Sequence, residues 1–265
     1  MIMNSERLQL SWGIDFLDTK YPKIETREVM LIRGKKSSNS HLIKYIICEE
    51  LSKQKPVYWI DGGMGLDPSL LIPILLKKNG KVTDLDYLHA CRGFTAHQML
   101  EIIKRLASKT EEEDKLHRGK LIVISDLVNM FTDEQVSSPE GNAMLKMSLY
   151  YIKEIVQKYN SVAILTVGSK QESYLSQSMK DTLTTEIRNS ISIISKSREI
   201  TVLKSELTGM VTNPLLIRNY KSYSQDLEVS SQVSKVVCTD PVKMISSSEI
   251  PNGDKSADDA RKAKA

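Results

Sequence analysis

The chain has 265 residues, 40% of them hydrophobic and 26% charged, and its 37 Lys and Arg against 33 Asp and Glu leave a net charge of +4. That length allows one large domain with appendages or two small ones, and a charge so near balance confines any basic, nucleic-acid-binding patch to a local feature. Apolar runs such as Leu121 to Ile124 fall far below the roughly 18 residues that span a bilayer, there is no hydrophobic signal segment, and Cys48, Cys91 and Cys238 lack the CxxC spacing of zinc or disulfide frameworks. A cytoplasmic protein with reduced, structural thiols and no membrane partner is expected.

In chain order, short apolar runs alternate with segments of helical period. The runs are Val29 to Ile32, Val57 to Ile60, Leu121 to Ile124 and Val162 to Val167. Four to six mostly apolar residues without polar alternation suit strands buried on both faces, as in a parallel sheet. Between the first two runs, Leu42, Ile46 and Leu51 predict a helix beginning after Ser40. Between the last two, Leu145, Leu149, Ile152 and Val156 recur at three and four, which predicts a helix of about four turns. Strand and helix alternating in this way mean an α/β fold with a mainly parallel sheet. Ile187 to Ile194 and Ile200 to Leu203, separated by the turn SKSRE, predict an antiparallel hairpin at one sheet edge. From Thr212 the chain is rich in Ser, Lys and Asp, so a core of residues 1–211 and a largely disordered tail of 212–265 are expected.

The first run leads into Gly34, Lys35, Lys36, Ser37, Ser38, Asn39, Ser40 and His41. Strand, polar loop and helix N-terminus is the frame in which GxxxxGK[ST] cradles phosphates. Here the second glycine is Asn39, the lysine is Ser40 and the magnesium-binding hydroxyl is His41. Losing that lysine removes a charge-assisted contact worth about 1.5 to 3 kcal/mol. The position therefore reads as a vestigial nucleotide site, and no cofactor is expected unless Lys35 and Lys36, near a helix N-terminus, hold ATP and magnesium through an altered loop.

Six segments in order resemble the ATPase core of the RecA/RadA recombinase superfamily, in particular its archaeal and eukaryotic paralogs. They are GIDFLD with KIET (Gly13 to Thr26), VYWIDGGMGLDPSLL (Val57 to Leu71), HACRGFTAHQMLEII (His89 to Ile103), KLIVISDLVNMF (Lys120 to Phe131), SVAILTVGSK (Ser161 to Lys170) and REITVLKSELTG (Arg198 to Gly209), around the degenerate loop. The resemblance covers roughly residues 10 to 210 and implies a RecA-like P-loop core, closed by the C-terminal edge hairpin. Arg92, Phe94, His97 and Gln98 match the ARAF-x-x-x-HQ segment and would belong to a partner surface.

The departures from that pattern carry the functional expectation. Gly63 stands where the family has its catalytic glutamate, Ser125 at the Walker B aspartate with Asp126 one place late and facing the other side of the strand, and Gly168 at the sensor glutamine. A general base alone contributes about a hundredfold to ten-thousandfold, so ATP hydrolysis is expected to be lost and the chain not to be an enzyme. The family's DNA-facing stretches match Thr132 to Ala143, which carries only acidic charges, and Ser169 to Arg188, whose Lys170, Lys180 and Arg188 would give weak contact to single-stranded DNA. The resemblance begins near residue 10, so the helical DNA-binding domain and polymerisation segment that precede the core in active recombinases are expected to be lacking. The resemblance thus implies an accessory or regulatory factor in homologous recombination and DNA repair, partnered by a RadA-type recombinase or an active paralog, at the nucleoid or, in a eukaryote, in the nucleus. The alternative is a regulatory RecA-like nucleotide-binding protein of the clock or signalling type. His41, His89, His97 and His117 have no metal-ligand spacing, and no metal site is expected.

Overall fold

The computed structural model describes residues 9–21, 23–63, 65–108, 120–196, 199–205 and 215–218. Its first strands, β1 (Gln9–Leu10) and β2 (Ile24–Glu25), pair antiparallel as a small separate sheet around the helix α1 (Asp15–Lys20). The main sheet starts with β3 (Glu28–Gly34), followed by α2 (Lys36–Leu51) and β4 (Val57–Asp61). Two 3-10 turns and α3 (Ile72–Lys77) then lead to β5 (Leu88–Arg92) and α4 (Ala96–Ala107). After β6 (Leu121–Ser125) come α5 (Leu127–Phe131), the long α6 (Ser138–Lys158) and β7 (Val162–Gly168). The helices α7 (Ser169–Tyr174) and α8 (Gln177–Glu186) precede β8 (Asn189–Lys196), β9 (Glu199–Ser205) and β10 (Leu215–Arg218).

The strands lie in the order β10-β9-β8-β3-β7-β6-β4-β5. From β8 to β5 all six run parallel, while β9 and β10 add antiparallel pairs at the β8 edge. The α/β class and the edge hairpin follow the sequence reading, and the four apolar runs form β3, β4, β6 and β7. Residues alternate between the two sheet faces. Met30 and Ile32 enter the layer under α2 and α3, and Leu31 enters the layer under α4, α5, α6 and α8. Burial on both faces is the reason these runs lack polar alternation.

Strand β5 is not foreshadowed by the hydrophobic pattern. LHACR has no continuous apolar run, because it pairs only with β4 and leaves His89 exposed at the sheet edge. Within the expected tail, Leu215–Arg218 pairs with β9, and 219–265, with the sequence VSSQVSKVV and Cys238, lie outside the described residues, as do His117 and the EEEDK run. No helix among the described residues is long and apolar enough to cross a membrane.

Candidate functional site

Parallel sheets bind ligands outside the carboxyl ends of their strands, where successive connections leave in opposite directions. In this sheet β3 is followed by α2 toward β4, while its neighbour β7 leads to β8 on the other flank. A crevice opens there between the start of α2 and the ends of β4, β6 and β7. Its walls include Lys36, Asn39, Trp59, Asp61, Asp126 and Thr166.

The phosphate-loop position is not a loop. Helix α2 starts at Lys36, separated from β3 by Lys35 alone, which is the helix N-cap in an extended conformation. The expectation that the helix begins after Ser40 is corrected by one turn, and Ser37, Ser38, Asn39, Ser40 and His41 lie within helix. A phosphate cradle needs several backbone N–H groups turned toward one point, and glycines to turn them. With Asn39 in place of the second glycine, the run continues in the helical conformation instead. The Asn39 amide is buried and donates to the carbonyls of Val167 (2.9 Å) and Gly34 (3.4 Å), pinning α2 to the ends of β3 and β7. Gly34 is kept for packing: a Cβ there would lie 2.7 Å from the Ile193 carbonyl oxygen and 2.8 Å from Asn39 Oδ1.

Asp61, which the sequence reading did not single out, is the most completely held group in the crevice. It ends β4, is fully buried, and accepts from the backbone N–H groups of Gly63 (3.1 Å) and Leu66 (2.9 Å). The Ser125 hydroxyl donates to it at 3.0 Å and Arg92 Nε at 3.2 Å. Ser125 in turn accepts from the Trp59 indole N–H at 3.0 Å. A buried carboxylate needs this density of donors to offset its desolvation. The signal in the sequence was an aspartate at the end of a buried strand, followed at once by two glycines.

Asp126 corrects a second expectation. It does not face away from Ser125; it lines the same crevice. The strand ends at Ser125, and Asp126 takes a left-handed conformation (φ 55°) that turns the chain before α5, with its N–H donating to the Thr166 hydroxyl at 3.0 Å. Strand alternation no longer applies past the strand end. Its carboxylate meets Lys36 Nζ at 3.2 Å, and the same ammonium donates to the Gly63 carbonyl. The present place of Asp126 needs glycine at position 63, since a Cβ there would stand 1.9 Å from Asp126 Oδ2. A glutamate at that place would displace Asp126 and break the Lys36 contact. Lys36 is therefore engaged by the protein itself, and any anion held by an altered loop would compete with that pairing.

The expected partner surface divides. Arg92 is turned inward, donating to Asp61 and to the Leu66 carbonyl (3.1 Å). Gln98 serves the start of its own helix. Thr95 caps α4 by accepting from the Gln98 N–H, and the Gln98 side chain accepts from the Phe94 N–H. This is close to a capping box, so local helix chemistry accounts for that spacing. Phe94 is 69% exposed, and His97, also exposed, lies 3.6 Å from Glu140. Thr132 to Ala143 divides between a short turn and the start of α6. Ser169 to Arg188, the second stretch matched to the family's DNA-facing segments, forms α7 and α8, with Ser176 capping α8. Lys170 and Arg188 are exposed and Lys180 is half-buried. At Gly168, Gln171 of the next turn accepts from the backbone N–H at 2.7 Å.

Burial also sets the chemistry of the nearby titratable groups. Burial, assisted by Lys44, lowers the His41 pKa. The Cys48 thiol is pushed up to about 12 and the Cys91 thiol to about 11, both mainly by burial, which makes them poor nucleophiles at neutral pH. Among the described residues no group of three or more His, Cys, Asp or Glu is arranged to hold a metal. In the crevice as built, Asp61 is saturated with donors, Asp126 is paired with Lys36, and helix stands where a phosphate loop would lie. No protein-family model matches this chain, and no curated protein matches it.

Proposed function

We propose that the chain is a non-hydrolysing RecA-like core that acts as an accessory factor of a RadA-type recombinase or active paralog in homologous recombination and repair. One observation carries the loss of nucleotide chemistry: α2 begins at Lys36, directly after the strand, and Lys36 is tied to Asp126 and the Gly63 carbonyl. The site is closed by its own charges, with no free acid to serve as general base and no cradle for phosphate. The ordered segment resemblances, together with an α/β sheet carrying an antiparallel pair at one edge, support the RecA-like assignment. The accessory role in recombination rests on the segment resemblance. Exposed Lys170 and Arg188 support a weak, salt-sensitive contact with single-stranded DNA.

The test has two arms. Calorimetric titration with millimolar magnesium-ATP is expected to show no binding, and strand exchange by a RadA-type recombinase is expected to change in rate when the chain is added. Magnesium-dependent ATP turnover that persists through repurification overturns the first arm. A chain that neither binds such a recombinase nor alters its strand exchange overturns the second.

A further inference from the structure

We infer that the Lys36 ammonium is the resident cation of the strand-end crevice, holding the charge position at Asp126 and the Gly63 carbonyl that an added divalent ion would otherwise take. This deepens the reading of the site as closed to nucleotide, and it does not depend on the recombination partner.

Asp126 has a side chain only 5% exposed, and Lys36 is the cation paired with it. A carboxylate this deeply buried is costly without a counter-charge. The lysine is also placed against local preference. It sits in the first turn of α2, where the helix dipole disfavours a cation and no acidic residue of that turn compensates it. A local rule broken in this way points to a tertiary reason, and Asp126 with the Gly63 carbonyl supplies one. Gly63 completes the arrangement by leaving room for the carboxylate.

Asn39 stands beside the pair in the wall of the crevice. Asn39 uses its amide N–H groups on two carbonyls, and its Oδ1 is buried without a hydrogen-bond partner. The Asp126 carboxylate and the Gly63 carbonyl present acceptors to the ammonium, the reverse of a phosphate site. With the ammonium removed, the Asp126 carboxylate and the Gly63 carbonyl are left to an added cation and still repel an anion.

The measurement is thermal unfolding of the full chain and its variants with and without millimolar Mn2+, paired with Mn2+ binding followed by electron paramagnetic resonance. Lys36→Met is expected to lower the melting temperature by several degrees, and adding Asp126→Asn to restore most of the loss. Asp126→Asn alone is expected to change little, because the released ammonium, 54% exposed on its side chain, rehydrates. Mn2+ is expected to bind and stabilise Lys36→Met, but neither the wild type nor the double variant. Should Lys36→Met fail to fold, the double variant carries the test through its recovery. An unchanged melting temperature in Lys36→Met, no recovery in the double variant, or Mn2+ acting on Lys36→Met no more than on the wild type overturns the inference. ATP binding by the wild type would instead overturn the function proposed above, so the two failures are distinguishable.

Discussion

Two buried carboxylates stand at neighbouring strand ends, and they are held in different ways. Asp61 accepts from two backbone N–H groups, a hydroxyl and a guanidinium, so no single donor is indispensable to it. Asp126 is paired with the ammonium of Lys36. The first arrangement fixes backbone: it ties the N–H groups of Gly63 and Leu66 to the end of β4 and links β4 to β6 through Ser125. The second fixes charge, and one side-chain substitution can change it. A carboxylate bound by the main chain is thus a structural element, whereas one bound by a lone lysine side chain behaves like an ion site with its ion built in.

The largest expected effect breaks the first arrangement. Asp61→Ala takes the shared acceptor from two N–H groups, the Ser125 hydroxyl and Arg92 at once, and is expected to cost about 3 to 5 kcal/mol in urea unfolding, as when one partner of a buried pair is removed. A loss below about 1 kcal/mol would mean that the turn holds without its aspartate. Arg92→Ala sharpens the comparison, since it leaves Asp61 three of its four donors. It is expected to cost less, about 1 to 3 kcal/mol, and a cost equal to that of Asp61→Ala would show the ion pair, not the backbone, to be dominant. Both variants can be followed by fluorescence of Trp59, whose indole N–H reports on Ser125.

The smallest effect concerns pH and lies further along α2. Burial and Lys44 hold the His41 pKa below its ordinary value of 6.5. The unfolded chain therefore binds a proton first, and the contribution of neutral His41 is complete above 6.5 and declines as the pH falls below that value. Stability measured from pH 7.5 to 5 is expected to fall less steeply in His41→Asn than in the wild type. Equal slopes would place the acid sensitivity elsewhere.

The sheet was readable in the sequence where Val29 to Ile32 and Val162 to Val167, apolar but for Thr166, show no polar alternation that would turn one face to water. LHACR was not, because an edge strand with one neighbour needs no apolar run. The site was legible in outline: Gly34, Gly63, Ser125 and Asp126 all stand around the strand ends. Their roles were not, because the side chains that meet them come from other elements.

Local patterning and residue type suffice for the α/β class, the four buried strands, the edge hairpin and the missing phosphate-loop residues, and all of these could be read from the order of amino acids. It took the folded chain to show that Lys35 alone separates β3 from α2, that Asp126 turns back into the crevice, and that Lys36 closes it. Those outcomes depend on distances between residues up to 90 positions apart in the chain, such as Lys36 and Asp126. Hydrogen bonding and charge pairing at such separations leave no periodic trace in the sequence.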